Sequence, residues 1–331
     1  MDRVRLGIVG CGRVVSLFHI KAIRKVCGID VTAVVDVNEK RMRDAMKAFG
    51  VKKGYINYVD MLEDDVVDAV LVATPPKFHG DISLASVRAG KHVICEKPLS
   101  ESPEECLKIG REAFKRGVKV LPAHNYVFTS ILTKAKTALD LGLIGDVERI
   151  ECCMGESLRI YNSKTGFRLK RNGGVLDDLL PHTLSIATYL CNPPVKPLQV
   201  KVFKKSYPVP DEAEVIVELM GGVKLYTSLS WNKLIPSLIV RIKGSKGLIE
   251  MELLKSPNSM TLIRNGKKEK VRTGSLLSQY VSLLRLDHPS FTAQYEHFLR
   301  LVKGEEKERI TVEDESRIVS TIVNTIKMLK N

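Results

Sequence analysis

Residues 4–15 read VRLGIVGCGRVV, in which a short apolar run leads directly into a glycine turn and then into a helical pattern. The glycines allow the backbone to turn tightly, so that a pyrophosphate can approach the free N–H groups at the start of the helix. This stretch therefore predicts the first strand, turn and helix of a dinucleotide-binding unit. The turn residues expected to contact the dinucleotide are Gly10, Gly12, Arg13 and Val14.

The cofactor preference is predicted from Asp36, which stands at the end of the second predicted strand, 24 residues beyond Gly12. A carboxylate at this place accepts hydrogen bonds from the adenosine ribose hydroxyls and repels a 2′-phosphate. We therefore expect NAD as the cofactor, with NADP less favoured. Lys40 and Arg41 are close in sequence and are compatible with a phosphate, so NADP stays open.

The two halves of the chain differ in their hydrophobic pattern. Up to about residue 120, apolar β-branched runs alternate with helical stretches, which is typical of a parallel α/β sheet. From Gln199 onward, alternating strands are separated by glycine turns such as Asn265-Gly266. We predict an α/β chain with an N-terminal Rossmann domain over residues 1–123. An α+β domain with a large open, mostly antiparallel sheet is expected over residues 124–331, for substrate binding and oligomerisation.

Composition argues against several classes of protein. The net charge of +14 comes from 52 Lys and Arg against 38 Asp and Glu, but these residues are spread along the chain rather than gathered into a stripe. A solvated basic surface that attracts anionic small molecules is therefore favoured over a nucleic-acid site. The seven cysteines form no C-x-x-C pair and no apolar run is long enough to span a membrane. We expect a soluble cytoplasmic protein without a metal site, membrane or nucleic-acid partner.

Four longer motifs are more specific than the glycine turn. They are ATPPKFH at 73–79, AGKHVICEKPL at 89–99, AHNYVF at 123–128 and GGVLDDLLPH at 173–182. Together they resemble the glucose–fructose oxidoreductase/inositol dehydrogenase (Gfo/Idh/MocA) family, whose hallmark is Glu-Lys-Pro after a strand that begins with Gly-Lys-His-Val. The resemblance covers essentially the whole chain and implies an oxidoreductase that acts on CH–OH groups.

Hydride exchange between a carbinol carbon and nicotinamide needs a group that takes the hydroxyl proton at neutral pH. Lys97 lies on the loop after a predicted strand, at the carboxyl edge where doubly wound sheets bind their ligands. Asp178 and His182 are four residues apart and therefore share one helix face. His182 can accept the proton while Asp178 fixes its ring or binds a neighbouring hydroxyl. The resemblance implies the same three catalytic residues, and the choice between Lys97 and His182 stays open.

The resemblance also implies further contacts within these motifs. Those expected for the cofactor are Ala73, Thr74, Pro75, His79, Glu96 and Lys97, and those expected for the substrate are Lys97, Asn125, Tyr126, Asp178 and His182. Related proteins turn sharply between the lysine and proline of the hallmark, so the Lys97–Pro98 peptide bond is predicted to be cis. His79, His92 and His124 are expected to be structural or to line the cofactor.

Some residues depart from the pattern of the family. Ser185 stands where many sugar-oxidising members carry a second aspartate, and Val127 stands where an arginine is frequent. Leu180 replaces a common glycine, and Pro181 either begins the regular helix or kinks it. These changes preserve the redox machinery but argue against simple inositol or hexose specificity.

We predict an NAD-dependent dehydrogenase that oxidises a secondary hydroxyl of a sugar, cyclitol or sugar nucleotide. The alternatives are an NAD-dependent glycosidase on the same fold and a non-catalytic NAD(P)-binding sensor. A nucleic-acid binder has only the net charge in its favour.

Assembly is predicted from the antiparallel sheet. Val215, Val217 and Leu219 alternate with Ile216 and Met220, so both faces of this strand carry apolar side chains. A sheet that is apolar on both faces must bury the second one, and related proteins associate through this sheet. We expect a homodimer, or a homotetramer built from such dimers.

Overall fold

A computed structural model describes residues 3–159, 166–273 and 288–329 of the chain. Packing divides the described residues into two compact units: 3–125 with 288–316, and 126–273 with 317–329. The first segment of the first unit ends at residue 125, two residues beyond the end of the predicted Rossmann domain. The division differs from the predicted continuous domain over 124–331, because residues 288–316 return to the first unit.

The first unit contains a six-stranded parallel sheet with the strand order β3-β2-β1-β4-β5-β6. The order reverses between β1 and β4, which is the switch point where doubly wound sheets bind ligands. Strands buried on both faces read as continuous apolar runs, and all four residues of β4 are buried. The strands are β1 (Val4–Val9), β2 (Ile29–Val35), β3 (Lys53–Tyr55), β4 (Ala69–Val72), β5 (His92–Glu96) and β6 (Val120–Ala123).

Helices connect these strands. After a π-helical turn at Val15–His19, they are α1 (Ile20–Ile23), α2 (Glu39–Phe49), α3 (Tyr58–Glu63), α4 (His79–Arg88) and α5 (Pro103–Arg116). Helix α5 begins with a serine cap, since the Ser102 side chain accepts a hydrogen bond from the Glu105 N–H and Pro103 occupies the first turn. The sequence did not predict β3 and α3, which are too short to show a period.

The second unit contains an eight-stranded sheet with the order β14-β13-β12-β11-β7-β10-β9-β8. All neighbours are antiparallel except β7 and β10, which confirms the predicted mostly antiparallel sheet. The strands are β7 (Val147–Ser157), β8 (Pro194–Phe203), β9 (Glu212–Leu219), β10 (Lys224–Ser230), β11 (Asn232–Gly244), β12 (Gly247–Glu252), β13 (Ser259–Arg264) and β14 (Lys267–Arg272).

The remaining helices are α6 (Ser130–Asp140), α7 (Gly166–Leu169), α8 (Val175–Leu190), α9 (Pro289–Val302) and α10 (Val312–Lys327). Helix α9 belongs to the first unit, where Phe291 stacks on Phe18 with ring centroids 5.2 Å apart and Tyr295 is fully buried. This aromatic packing explains why a late segment of the chain returns to the first unit. Within the described part of the chain, no helix is long and apolar enough to cross a membrane.

Candidate active site

The glycine turn after β1 leaves space for a ligand on one side and is tightly packed on the other. Gly10 has a φ of +94°, and a Cβ there would lie 2.6 Å from the Ala73 carbonyl oxygen and 2.8 Å from the Thr74 nitrogen. A Cβ on Gly12 would meet no atom within 4 Å. The hydroxyl of Thr74 is buried without a hydrogen-bond partner among the described residues. Open space over a glycine turn and an unused hydroxyl beside it fit a pyrophosphate.

Asp36 is held rigidly at the end of β2. Its carboxylate accepts hydrogen bonds from the N–H groups of Cys11 at 2.9 Å and Asn38 at 2.8 Å. Arg41, whose side chain is 55% exposed, forms an ion pair with it at 3.1 Å. Burial and the neighbouring Asp36 charge raise the pKa of Cys11 to about 12, so its thiol is neutral. Asp36 is thus a fixed hydrogen-bond acceptor with one cation beside it.

The loop after β5 carries Lys97, which is half-buried, and the Lys97–Pro98 peptide bond is cis, as predicted. His79, at the start of α4, reaches this loop through Nδ1, 2.7 Å from the Pro98 carbonyl oxygen. Its Nε2 is 2.7 Å from the carbonyl oxygen of Thr74, on the loop after β4. His79 therefore connects the loop expected to bind the cofactor with the loop that carries the lysine.

Glu96 is tied to buried aromatic side chains. His19 Nε2 lies 2.9 Å from Glu96 Oε1, and His19 Nδ1 lies 2.7 Å from the Tyr295 hydroxyl. Burial disfavours the ionised form of Glu96, yet the hydrogen bond from His19 and the charges of His19, Lys97 and His79 hold its pKa below the usual value. Burial raises the pKa of Tyr295 well above its usual value, so this hydroxyl keeps its proton.

A buried carboxylate from α10 holds the other end of the lysine loop. Glu315 Oε1 accepts a hydrogen bond from the Leu99 N–H at 3.0 Å, and Glu315 Oε2 lies 2.6 Å from His124 Nε2. Burial opposes its ionisation, but the charge and hydrogen bond of His124 and the Leu99 N–H keep the pKa of Glu315 low. Sequence reasoning missed this residue. The signal was an acidic side chain between Val312 and Val319 on the apolar face of the helix.

In the second unit, Asp178 and His182 lie on α8, as the predicted helix requires. Asp178 Oδ2 is paired with Arg168 Nε at 2.9 Å and accepts a hydrogen bond from the Trp231 indole at 3.3 Å. His182 is 9% exposed and packs edge-on against Tyr126, with ring centroids 5.0 Å apart. The sequence pattern assigns no role at the site to Arg168 or to Trp231.

The residues that depart from the family pattern are buried. Ser185 is 1% exposed and donates its hydroxyl to the His182 carbonyl oxygen at 3.0 Å, and Val127 is fully buried. Pro181 lies inside α8 and does not begin it. Asn125 donates its side-chain amide to the Ser290 hydroxyl at 2.9 Å.

The other predicted cofactor contacts lie around the glycine turn and after β4: Arg13 and Pro75 are exposed, Val14 is half-buried and Ala73 is buried. No group of three or more His, Cys, Asp or Glu side chains suited to a metal ion occurs among residues 3–159, 166–273 and 288–329.

Two family models match the chain. Residues 4–124 match the oxidoreductase family with an NAD-binding Rossmann fold, and residues 132–250 match the GFO/IDH/MocA C-terminal domain. Together they cover more than half of the chain. The chain belongs to the GFO/IDH/MocA oxidoreductase family. This confirms the resemblance, the fold class and the predicted class of NAD(P)-dependent oxidoreductase.

Named relatives of the family agree with this assignment. Myo-inositol 2-dehydrogenase of Thermotoga maritima is 29% identical over 191 residues, which are 56% of this chain and 54% of that protein. The chain thus spans only about half the length of that relative. Oxidoreductase P35 of Formosa agariphila is 27% identical over 272 residues, 80% of this chain and 84% of that protein.

A solved structure shares the whole fold. It is that of an inositol dehydrogenase homologue complexed with NADH and myo-inositol from Azotobacter vinelandii. Its TM-score is 0.81 at 20% identity, with 99% of this chain and 96% of that chain covered.

The glycine turn generates a paired prediction. Gly12→Ala meets open space, so we expect an unfolding free energy within about 0.5 kcal/mol of the wild type. It should nevertheless weaken NAD binding at least about tenfold, because the methyl group occupies the space a pyrophosphate needs. Gly10→Ala is the matched control and should cost at least about 1–3 kcal/mol of stability through its positive φ and the clash with Ala73. Denaturant titration measures the unfolding free energy, and calorimetry measures the NAD affinity. An unchanged NAD affinity in Gly12→Ala would contradict the prediction that a pyrophosphate binds over this turn.

Proposed function

We propose that the chain is an NAD-dependent dehydrogenase that oxidises a secondary hydroxyl group of a sugar, a cyclitol or a sugar nucleotide. The observation that carries the proposal is the set of buried contacts that hold the Lys97 loop at the carboxyl edge of the parallel sheet. Glu96 is held by His19, Pro98 by His79 and Leu99 by Glu315. A surface lysine that merely precedes a proline would not need such support. The names of the relatives, inositol dehydrogenases among them, support the same chemistry.

The cofactor and the protein have separate tasks in this reaction. A nicotinamide dinucleotide, when bound over the glycine turn, supplies the acceptor for the hydride. Either Nζ of Lys97 or the ring of His182 takes the proton from the substrate hydroxyl. Asp178, held by Arg168 and Trp231, accepts a hydrogen bond from a substrate hydroxyl and so orients it. Binding the hydroxyl in a fixed position lowers the entropy cost of reaching the transition state.

The buried residues that differ from the family pattern indicate which class of substrate to expect. Ser185 uses its hydroxyl within its own helix, and Val127 is fully buried, so neither supplies the charged contact that many sugar-oxidising relatives have. The Arg168–Asp178 pair places a cation next to the proposed hydroxyl-binding carboxylate instead. We therefore propose a substrate other than a simple inositol or hexose.

The activity is tested with a panel of sugars, cyclitols and nucleotide sugars, followed by NADH absorbance. Lys97→Met and His182→Asn should each lower kcat by about 10²–10⁴-fold if the substituted residue transfers the proton, and the larger loss identifies the acceptor. Lys91→Met is the matched control, because the half-buried Lys91 lies before β5 and pairs with the exposed Asp65. Release of phenol from aryl glycosides without net NADH would instead identify the glycosidase, and NAD binding without turnover would identify the sensor.

The cofactor preference is tested by calorimetry. We expect NAD to bind at least about tenfold more tightly than NADP, a difference of about 1.4 kcal/mol. Asp36→Ala should narrow the difference, since it removes the carboxylate that repels a 2′-phosphate. Arg41→Ala should widen the difference between the NAD and NADP affinities, because this substitution removes the cation beside Asp36, where a 2′-phosphate would bind. Equal affinities in the wild type would refute the preference.

Assembly is proposed from the open face of the second sheet, on which α8 does not pack. Val215 and Val217 are buried on the inner face, whereas Ile216 is half-buried and Tyr226 is 38% exposed on the outer one. We propose a homodimer, or a tetramer of such dimers, that buries this outer face. The combined substitution Ile216→Glu and Tyr226→Lys should shift the mass measured by light scattering towards 36.9 kDa, the mass of one chain. A wild-type mass of one chain at micromolar concentration would rule the dimer out.

A further inference from the structure

His79 has an unusual pair of hydrogen-bond partners. Its Nδ1 lies 2.7 Å from the carbonyl oxygen of Pro98 and its Nε2 lies 2.7 Å from the carbonyl oxygen of Thr74. A backbone carbonyl oxygen can only accept a hydrogen bond, so each ring nitrogen must donate one. A neutral imidazole carries one N–H and one lone pair, and only the imidazolium carries two N–H groups. A neutral ring would therefore direct a lone pair at a carbonyl oxygen at hydrogen-bonding distance.

The surroundings of His79 suit a buried cation. The ring is 1% exposed, and a charge so far from water needs ionic partners. Two carboxylates, the half-buried Glu96 of β5 and the fully buried Glu315 of α10, have a lowered pKa although burial opposes their ionisation. His19 and His124 respectively are the main causes, and the positive charge of His79 makes a smaller contribution to both. A third carboxylate, that of Glu105 from α5, packs directly against Gly80.

Two groups oppose the charge. Lys97 lies on the loop that His79 contacts, and His79 begins α4, where the helix dipole disfavours a cation. Three carboxylates, those of Glu96, Glu105 and Glu315, stand against these two opposing groups. The geometry of both ring nitrogens then decides the protonation state.

We propose that His79 is held as an imidazolium and is a positioning residue that locks two loops together. One N–H holds the loop of Thr74, and the other holds the loop of Lys97 and Pro98. The loop expected to bind the cofactor and the loop that carries the lysine are thereby fixed to each other. The effect on turnover rests on the proposed function, whereas the charge and the link between the loops do not.

The charge is tested by NMR of the full chain labelled with ¹⁵N-histidine at neutral pH. Both ring nitrogens of His79 should have the ¹⁵N chemical shifts of protonated nitrogens. His92 is the internal control, because its Nδ1 accepts the Lys119 N–H at 2.9 Å and must be unprotonated. Loss of the signal in His79→Gln assigns it. If that variant does not fold, single substitutions of the other six of the chain's seven histidines assign the His79 signal by elimination. A lone-pair nitrogen in His79 would overturn the proposal.

The link between the loops is tested by comparing His79→Gln with His92→Gln. A glutamine side chain would place its oxygen, rather than a donor, against one of the two carbonyls. We expect NADH to bind about fivefold or more weakly in His79→Gln, and kcat per NADH-binding site to fall about tenfold or more. His92→Gln should change neither quantity, because His92 begins β5 and therefore lies at the edge of the sheet opposite the Lys97 loop, away from the expected cofactor site.

A merely structural role would lower the thermal stability of His79→Gln but leave both quantities per folded site unchanged, which would refute the positioning role. If the proposed function is wrong, the wild type itself shows no turnover. The NMR spectrum and the NADH affinity then still decide this inference.

Discussion

A polar group buried at the carboxyl edge of the parallel sheet must be hydrogen-bonded, because leaving one unpaired costs about 1–3 kcal/mol. Much of the first unit follows from that constraint. The loop from Glu96 to Leu99 follows the buried apolar centre of β5 and carries a carboxylate, a carbonyl and an N–H into a region with little access to water. Each of these groups is met by a side chain from elsewhere in the chain, namely His19, His79 and Glu315. The same contacts that remove an energetic cost also fix the backbone on which Lys97 stands.

This requirement accounts for the path of the chain. Residues 288–316 supply Tyr295 to His19 and Glu315 to Leu99, so the loop is complete only after nearly the whole chain has been made. The stacking of Phe291 on Phe18 adds apolar burial to these polar contacts. A dinucleotide-binding unit made of residues 1–123 alone would leave the N–H of Leu99 without the Glu315 carboxylate.

The second unit also has a polar side chain in a buried setting whose carboxylate is paired by residues from elsewhere in the chain. Asp178 is an acidic side chain on a mostly buried helix, and Arg168 and Trp231 meet its carboxylate. These partners come from a short helix and from the end of a strand, with no common sequence motif. The sheet beside them buries one face of alternating apolar residues and leaves the other with mixed apolar and charged side chains, as the strand of Val215 and Ile216 shows.

Features that depend on local chemistry can be predicted from the sequence alone. The glycine turn at Gly10, the strand ending at Asp36, the serine cap of α5 and the alternation in β9 all follow from residues within a few positions of each other. Short elements such as β3 were missed, because three residues cannot show a period. The spacing of Asp178 and His182 predicts that they share a helix face, but it does not predict which residues pair with Asp178. The pairing of distant side chains with the lysine loop, in contrast, depends on how the whole chain packs. Glu315 and Leu99 are 216 positions apart, and no local pattern of hydrophobicity or turn chemistry specifies which buried polar groups will meet when the chain packs.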